Sequence, residues 1–133
     1  MPSQRPIRSY MTVIPQRIAP DQTLSEAHKI MRENSIRHLP VIGGGRLVGI
    51  LSMGDLHLVE TLKDVDPETV PVEDAMTPKP YTVKPETPLA TVVRTMAAHK
   101  YGSAVVVEKD IVVGVFTTND ALRVLADLLE GKA

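Results

Sequence analysis

Slid against itself by 65 positions, this 133-residue chain repeats. Met11-Thr12 falls on Met76-Thr77, Pro15 on Pro80, Pro20 on Pro85, Leu24 on Leu89 and Met31 on Met96. Val41 falls on Val106, Val48-Gly49 on Val113-Gly114 and Asp55 on Asp120, with no gap between the first pair and the last. Conservative pairs fill the intervals, among them Asp21 with Glu86, Lys29 with Arg94, Ile50 with Val115 and Ser52 with Thr117. A fixed-period repeat decides architecture before any local propensity does, because each copy is one supersecondary unit that cannot bury its apolar face alone. A copy of about 60 residues covers only part of a sheet. The two copies are therefore expected to pack on each other about a pseudo-twofold axis.

Each copy shows the same order of elements. A short extended piece, 17–19 or 82–84, precedes a proline and then a helix start. "TLSE" at 23–26 has capping-box spacing, with Thr23 as N-cap and Glu26 at the third helical position. In the second copy Thr87 is expected at the cap and Pro88 at the first helical position. Leu24, Ala27 and Met31, then Leu89, Val92, Val93 and Met96, recur at helical spacing. An apolar strand follows, "HLPVI" at 38–42 or "SAVVV" at 103–107. A turn at 43–45 or 108–110 leads into a second strand, "RLVGILS" at 46–52 or "IVVGVFT" at 111–117, which makes a hairpin. A last helix begins near Gly54 or Asn119. The strands are nearly continuous in apolar residues, so both sheet faces are expected to be covered. The fold class read from this is α/β in the wide sense, more strictly α+β: two tandem β-α-β-β-α repeats packed through their sheets. The first repeat takes residues 1–62, a linker 63–73 and the second repeat 74–133. The linker reads as a loop rich in proline and acid, and "VEDAM" (72–76) as a helical turn into the second copy.

The composition narrows the function classes. A net charge of −1 with no basic stripe gives no long-range attraction to nucleic acid or acidic membranes. The absence of cysteine removes disulfides, thiolate nucleophiles and cysteine metal sites. No apolar stretch approaches the roughly 20 residues of a membrane helix. "MPSQRPIRSY" lacks the apolar centre of a secretory signal, so a cytoplasmic location is expected. Tyr10, Tyr81, Tyr101 and Phe116 are the only aromatic residues of the phenylalanine, tyrosine and tryptophan class, which makes the expected core aliphatic.

The repeated chemistry lies where each hairpin ends. "VGILSMGDL" (48–56) and "VGVFTTNDA" (113–121) both place a hydroxyl, Ser52 or Thr117, three residues before an acid, Asp55 or Asp120. That spacing is a capping pattern, with the acid favoured by the helix dipole. The same geometry suits a nucleoside phosphate. A helix N-terminus collects anions, and a carboxylate beside it can accept from both hydroxyls of a ribose, as in dinucleotide-binding folds. Gly49 and Gly114, just upstream, would let another backbone approach the strand.

The M-T start, "IRHLPVI" (36–42) with "VGILSMGDL", and then "AMTPKPYTV" (75–83) through "VVGVFTTNDAL" (112–122), together resemble a pair of CBS domains, a Bateman module, over nearly the whole chain. The resemblance implies a regulatory, non-catalytic module that binds AMP, ADP, ATP or S-adenosylmethionine in clefts between the copies. It also implies that the acid of one copy works with the start and middle strand of the other. One cleft would use Thr117, Asn119 and Asp120, facing Thr12, Ile14 and Gln16 with Ile36, Arg37 and His38. The second would use Ser52, Gly54 and Asp55, facing Thr77, Lys79 and Tyr81 with Tyr101, Gly102 and Ser103. Arg37 and His38 stand where the family often has phosphate-binding bases, and arginine is suited to phosphate. Gly102 and Ser103 stand there in copy two, so the Asp120 cleft is preferred for a phosphorylated ligand. The Asp55 cleft is left as empty, weaker or suited to a less charged ligand.

No resident cofactor or metal is expected. His28, His38, His57 and His99 show no metal-ligand spacing. "GGG" at 43–45 lacks the end of a P-loop. Met31, Met53, Met76 and Met96 read as core filler, and Asp64, Asp66 and Glu68 as solvated loop acids. An alternative to the sensor is a ligand-free interaction module that keeps the fold. An enzyme would need a base, a nucleophile or a metal cluster that the spacing does not offer. Apolar positions at Leu122, Val124, Leu125, Leu128 and Leu129 exceed what one inner helix face needs, and CBS pairs commonly dimerise through such helices, so a homodimer is expected. The chain ends at "EGKA", so any regulated effector is expected to be a separate protein.

Overall fold

The computed structural model describes residues 4–132, which divide into two compact units. One is Gln16–Pro80; the other joins Met1–Pro15 to Tyr81–Ala133. Each unit therefore holds the body of one sequence copy together with the leading segment of the other.

The unit Gln16–Pro80 begins with helix α1 (Leu24–Asn34). Its capping box forms as the sequence predicts: the Glu26 amide donates to Thr23 Oγ1 at 3.2 Å, and the Thr23 amide donates to Glu26 Oε1 at 3.3 Å. A bond from Gln22, and then those from Thr23, hold the exposed Glu26 carboxyl below its ordinary pKa. Strands β1 (His38–Gly43) and β2 (Arg46–Ser52) form the expected antiparallel hairpin. Gly44 and Gly45 turn it with positive φ at both positions, as a two-residue primed turn requires. Helix α2 (Met53–Glu60) follows, and the short β3 (Thr77–Pro78) adds a third antiparallel strand on β2. Leu24, Ala27, Met31, Leu39, Val41, Leu51, Leu56 and Val72 are at most 1% exposed and form this unit's core.

The second unit repeats the scheme. The short β4 (Thr82–Val83) runs parallel to β5 (Ser103–Glu108), which pairs antiparallel with β6 (Ile111–Thr117). Helix α3 (Leu89–His99) lies between β4 and β5, and α4 (Thr118–Leu129) follows β6. The core gathers Ile7, Val92, Ala104, Val106 and Phe116. Fully burying Phe116 contributes about 1.5–3 kcal/mol. On the other face of the same sheet Val105 and Val115 are also fully buried, as continuous apolar strands require.

The expected cap of α3 is corrected. The helix starts at Leu89, with Pro88 in extended geometry at the cap and no side-chain bond there. Pro88 stands at the repeat position of Thr23, so the capping oxygen is missing. Thr87 instead closes the preceding turn by accepting from the Lys84 amide at 3.1 Å. The Leu89 amide goes to the Arg5 carbonyl at 2.9 Å. Its counterpart in the other unit is Leu24, whose amide donates to Val70 at 3.0 Å. Arg5 and Val70 are again 65 positions apart. In both units a leading segment supplies backbone acceptors to a helix whose first amides have none inside it. The turns Ile7–Ser9 and Val72–Asp74, both 3-10 helices, keep the same spacing.

Candidate functional site

In the unit that carries the N-terminal segment, Asp120 is the one buried polar or charged residue among the described residues, at 5% exposed. It is held there by donors from three directions. The Thr117 amide donates to Oδ2 at 2.9 Å, and the Thr117 hydroxyl to the same oxygen at 3.2 Å. The Thr12 hydroxyl donates to Oδ1 at 3.1 Å, and Arg123 Nη1 to Oδ1 at 3.2 Å. A carboxylate offers about four lone-pair sites, so four donors saturate it. Thr12 arrives because Met11-Thr12 lies as an edge on β6: the Thr12 and Val115 amides and carbonyls exchange two bonds of 2.9 Å. That approach requires Gly114. A Cβ there would stand 2.6 Å from Met11 Sδ and 3.0 Å from the Thr12 carbonyl oxygen.

In the unit Gln16–Pro80 the cap is the same and the surroundings differ. The Ser52 amide donates to Asp55 Oδ2 at 2.9 Å, and the Asp55 amide donates to Ser52 Oγ at 3.0 Å. Thr77 pairs through its backbone with Ile50 but does not bond the carboxylate, and an exposed Leu58 stands at the repeat position of Arg123. Neither of the two groups that reach Asp120 Oδ1 thus has a counterpart on Asp55. Gly49 admits β3 as Gly114 admits Met11-Thr12: a Cβ would collide with Met76 Sδ and lie 2.9 Å from the Thr77 carbonyl oxygen. Lys79, just beyond, has φ +49.

The strand entries complete each helix start. The first amide of α2, Met53, donates to the Arg37 carbonyl at 2.8 Å, and its counterpart Thr118 donates to Gly102 at 3.2 Å. His38 lies opposite Ser52, and Ser103 opposite Thr117, in the hairpin registers. Of the residues expected for the preferred cleft, Thr12, Ile14, Thr117, Asn119 and Asp120 belong to one unit, with Thr12, Thr117 and Asp120 in direct contact. Gln16, Ile36, Arg37 and His38 belong to the other. For the second cleft, Ser52, Gly54, Asp55, Thr77 and Lys79 share one unit, and Tyr81, Tyr101, Gly102 and Ser103 the other.

Two features were not anticipated. Arg123 on Asp120 was legible as an i,i+3 charge pair. Tyr101 stacks between Tyr81, with centroids 5.2 Å apart, and His99, 5.1 Å away. At the repeat positions of Tyr81 and His99, Gln16 Nε2 instead donates to Asn34 Oδ1 at 2.9 Å. An aromatic ladder in one unit thus replaces a polar pair in the other.

The arrangement can accept hydroxyls at a carboxylate and receive an anion at helix amides and side-chain hydroxyls. Among the described residues, no three histidine, aspartate or glutamate side chains are grouped to hold a metal ion.

The CBS domain family model matches the chain twice, over residues 7–59 and 72–127. Inosine-5'-monophosphate dehydrogenase of Korarchaeum cryptofilum (strain OPF8) is 35% identical over 104 residues, 77% of this chain but 21% of the enzyme. The chain thus spans about a fifth of that relative's length. A conserved protein from Pyrococcus horikoshii has a solved structure with 32% identity and a TM-score of 0.77, covering 94% of this chain and 95% of its own. The CBS domain pair of MJ0100, solved with 5-methylthioadenosine and S-adenosyl-L-methionine, is 25% identical with a TM-score of 0.77, covering 91% of this chain and 95% of its own.

Proposed function

The chain belongs to the CBS domain family, and from that premise we propose that it senses an adenosine-containing ligand, AMP, ADP, ATP or S-adenosylmethionine. The Asp120 cluster carries this reading. A buried carboxylate stands at a helix N-terminus with hydroxyls from two chain segments upon it. Ribose hydroxyls would take places now held by Thr12 and Arg123. The freed Thr12 hydroxyl, with Asn119 and the α4 amides, would meet phosphate oxygens. Thr117 would keep the carboxylate in place, and the buried Ile14 would border the base. Arg37 and His38 are proposed as further phosphate partners. The ligands bound by the MJ0100 pair support the adenosine class.

The saturation of Asp120 favours a second reading, an interaction module whose acid serves only as a cap. Thermal melting and calorimetric titration with AMP, ATP and S-adenosylmethionine separate the two. A ligand at a hundredfold excess over its Kd raises stability by about 2.7 kcal/mol, a shift of several degrees. No heat and no shift with any of the three would leave the interaction module.

The sensor is further proposed to work as a homodimer that changes its assembly, or a separate partner's activity, on binding. Leu122, Leu125, Leu128 and Leu129 on α4 are 47–79% exposed. Two of them, Leu125 and Leu128, line an apolar groove of about 380 Å³ together with Leu89, Val93 and Val124. A row of exposed leucines running along an apolar groove suits an isologous contact with a second copy. The corresponding groove by α1 has charged residues in its lining, Glu26, Lys29, Arg32 and Glu60. Light scattering is expected to show a dimer that Leu125→Glu with Leu128→Glu converts to monomer. A wild-type monomer at micromolar concentration would remove this part of the proposal.

A further inference from the structure

Asp120 and Asp55 are repeat equivalents with the same cap, yet Thr12 and Arg123 bond the Asp120 carboxylate and neither has a counterpart on Asp55. Much of the difference is Arg123. Its side chain is 69% exposed while the carboxylate it touches is 6% exposed. An exposed guanidinium in such a pair is held weakly and stays hydrated when it leaves. The Thr117 amide belongs to the helix cap and cannot leave without fraying α4. Arg123 is therefore the donor that an incoming ligand can displace at least cost. Helical side chains lean toward the N-terminus, so a displaced Arg123 keeps its fork of donors near the start of α4.

We propose that Arg123 makes the Asp120 site prefer phosphorylated over unphosphorylated nucleosides, an inference that rests on the nucleotide reading above. A neutral nucleoside exchanges its ribose hydroxyls for an equal number of donors and leaves the guanidinium without an anion. A nucleoside phosphate brings an anion to replace the carboxylate that Arg123 gives up, and guanidinium pairs with phosphate in a bidentate fork. Leu58 gives the Asp55 site no such exchange. The two sites then differ in ligand charge although their caps are alike.

The test titrates adenosine and AMP into the full chain carrying Asp55→Ala, with and without Arg123→Leu. Arg123→Leu is expected to tighten adenosine about threefold and weaken AMP about tenfold, so the preference for AMP falls by more than tenfold. Arg123→Lys, a charge without the fork, is expected to lie between. The reciprocal change, Leu58→Arg in the otherwise intact chain, puts an arginine one helical turn after Asp55 and is expected to weaken adenosine at that site. An unchanged preference, or a shift of both ligands by the same factor, overturns the role of Arg123 while leaving the nucleotide reading in place. No binding of either ligand to the unmutated chain overturns the nucleotide reading and this inference with it.

Discussion

Gly49→Val is expected to destabilise the chain by about 3 kcal/mol or more, and Gly114→Val by nearly as much. The sign opposes strand propensity, which favours valine over glycine by up to about 1 kcal/mol. It is set by what lies over each glycine. At Gly49 the Met76 side chain and the Thr77 carbonyl occupy the space a side chain needs, and at Gly114 the Met11 side chain and the Thr12 carbonyl do. A thioether can swing aside, but a backbone carbonyl moves only with its strand. Valine at 49 would push β3 off β2, and valine at 114 would carry Thr12 away from Asp120. A loss of this size is a large share of the 5–15 kcal/mol typical of a domain. Gly54→Ala is the contrast. The nearest atom to its added Cβ is Ser52 Oγ at 3.6 Å, so the change is expected to be neutral or to stabilise α2 by up to about 1 kcal/mol. Denaturant melts of the three variants check this. A wild-type midpoint for Gly49→Val would mean that the 76–78 segment is not docked on β2.

That pairing of methionine and glycine shows what was legible in the sequence and what was not. Met11-Thr12 with Gly114, and Met76-Thr77 with Gly49, were visible as repeated letters. The exchange between copies, the methionine of one on the glycine of the other, is a long-range fact that no local pattern encodes. The hairpins, the helical faces and the caps at Thr23, Ser52 and Thr117 follow from spacing alone, because the forces that set them act within four residues. The start of α3 was misread because its acceptor, the Arg5 carbonyl, lies more than 80 residues away in sequence. Within the site, the hydroxyl and acid were found because capping and ligand binding call for the same residues. Arg123 was passed over because an exposed i,i+3 arginine is ordinary on a helix, and only the burial of Asp120 gives it weight. Tyr81 is 20 residues from Tyr101, and His99 and Tyr101 straddle the end of α3, where no helical or strand period places them together, so their stacking could not be read from the sequence.

Asp120→Ala is expected to weaken AMP about a hundredfold, the largest functional effect of any single change proposed. Each bond from a ribose hydroxyl to a charged carboxylate contributes roughly 1.5–3 kcal/mol, and the alanine removes both acceptors. Part of that is offset in the free protein, where Thr12 and Arg123 also lose their acceptor and return to water, so two decades is the expected net. The change also removes half of the capping box and costs stability of about 1 kcal/mol, which leaves the chain folded. Asp120→Asn separates the two effects: it keeps the side chain's shape and one acceptor but not the charge, and is expected to weaken AMP by about tenfold. Asp55→Ala, which removes the carboxylate that has Leu58 in place of an arginine, is expected to leave the strongest AMP site intact. Calorimetry on the three variants decides the assignment. Loss confined to Asp55→Ala would keep the sensor and move its nucleotide to the carboxylate that has Leu58 where Asp120 has Arg123, making the saturated Asp120 a structural cap and Leu58 the permissive residue.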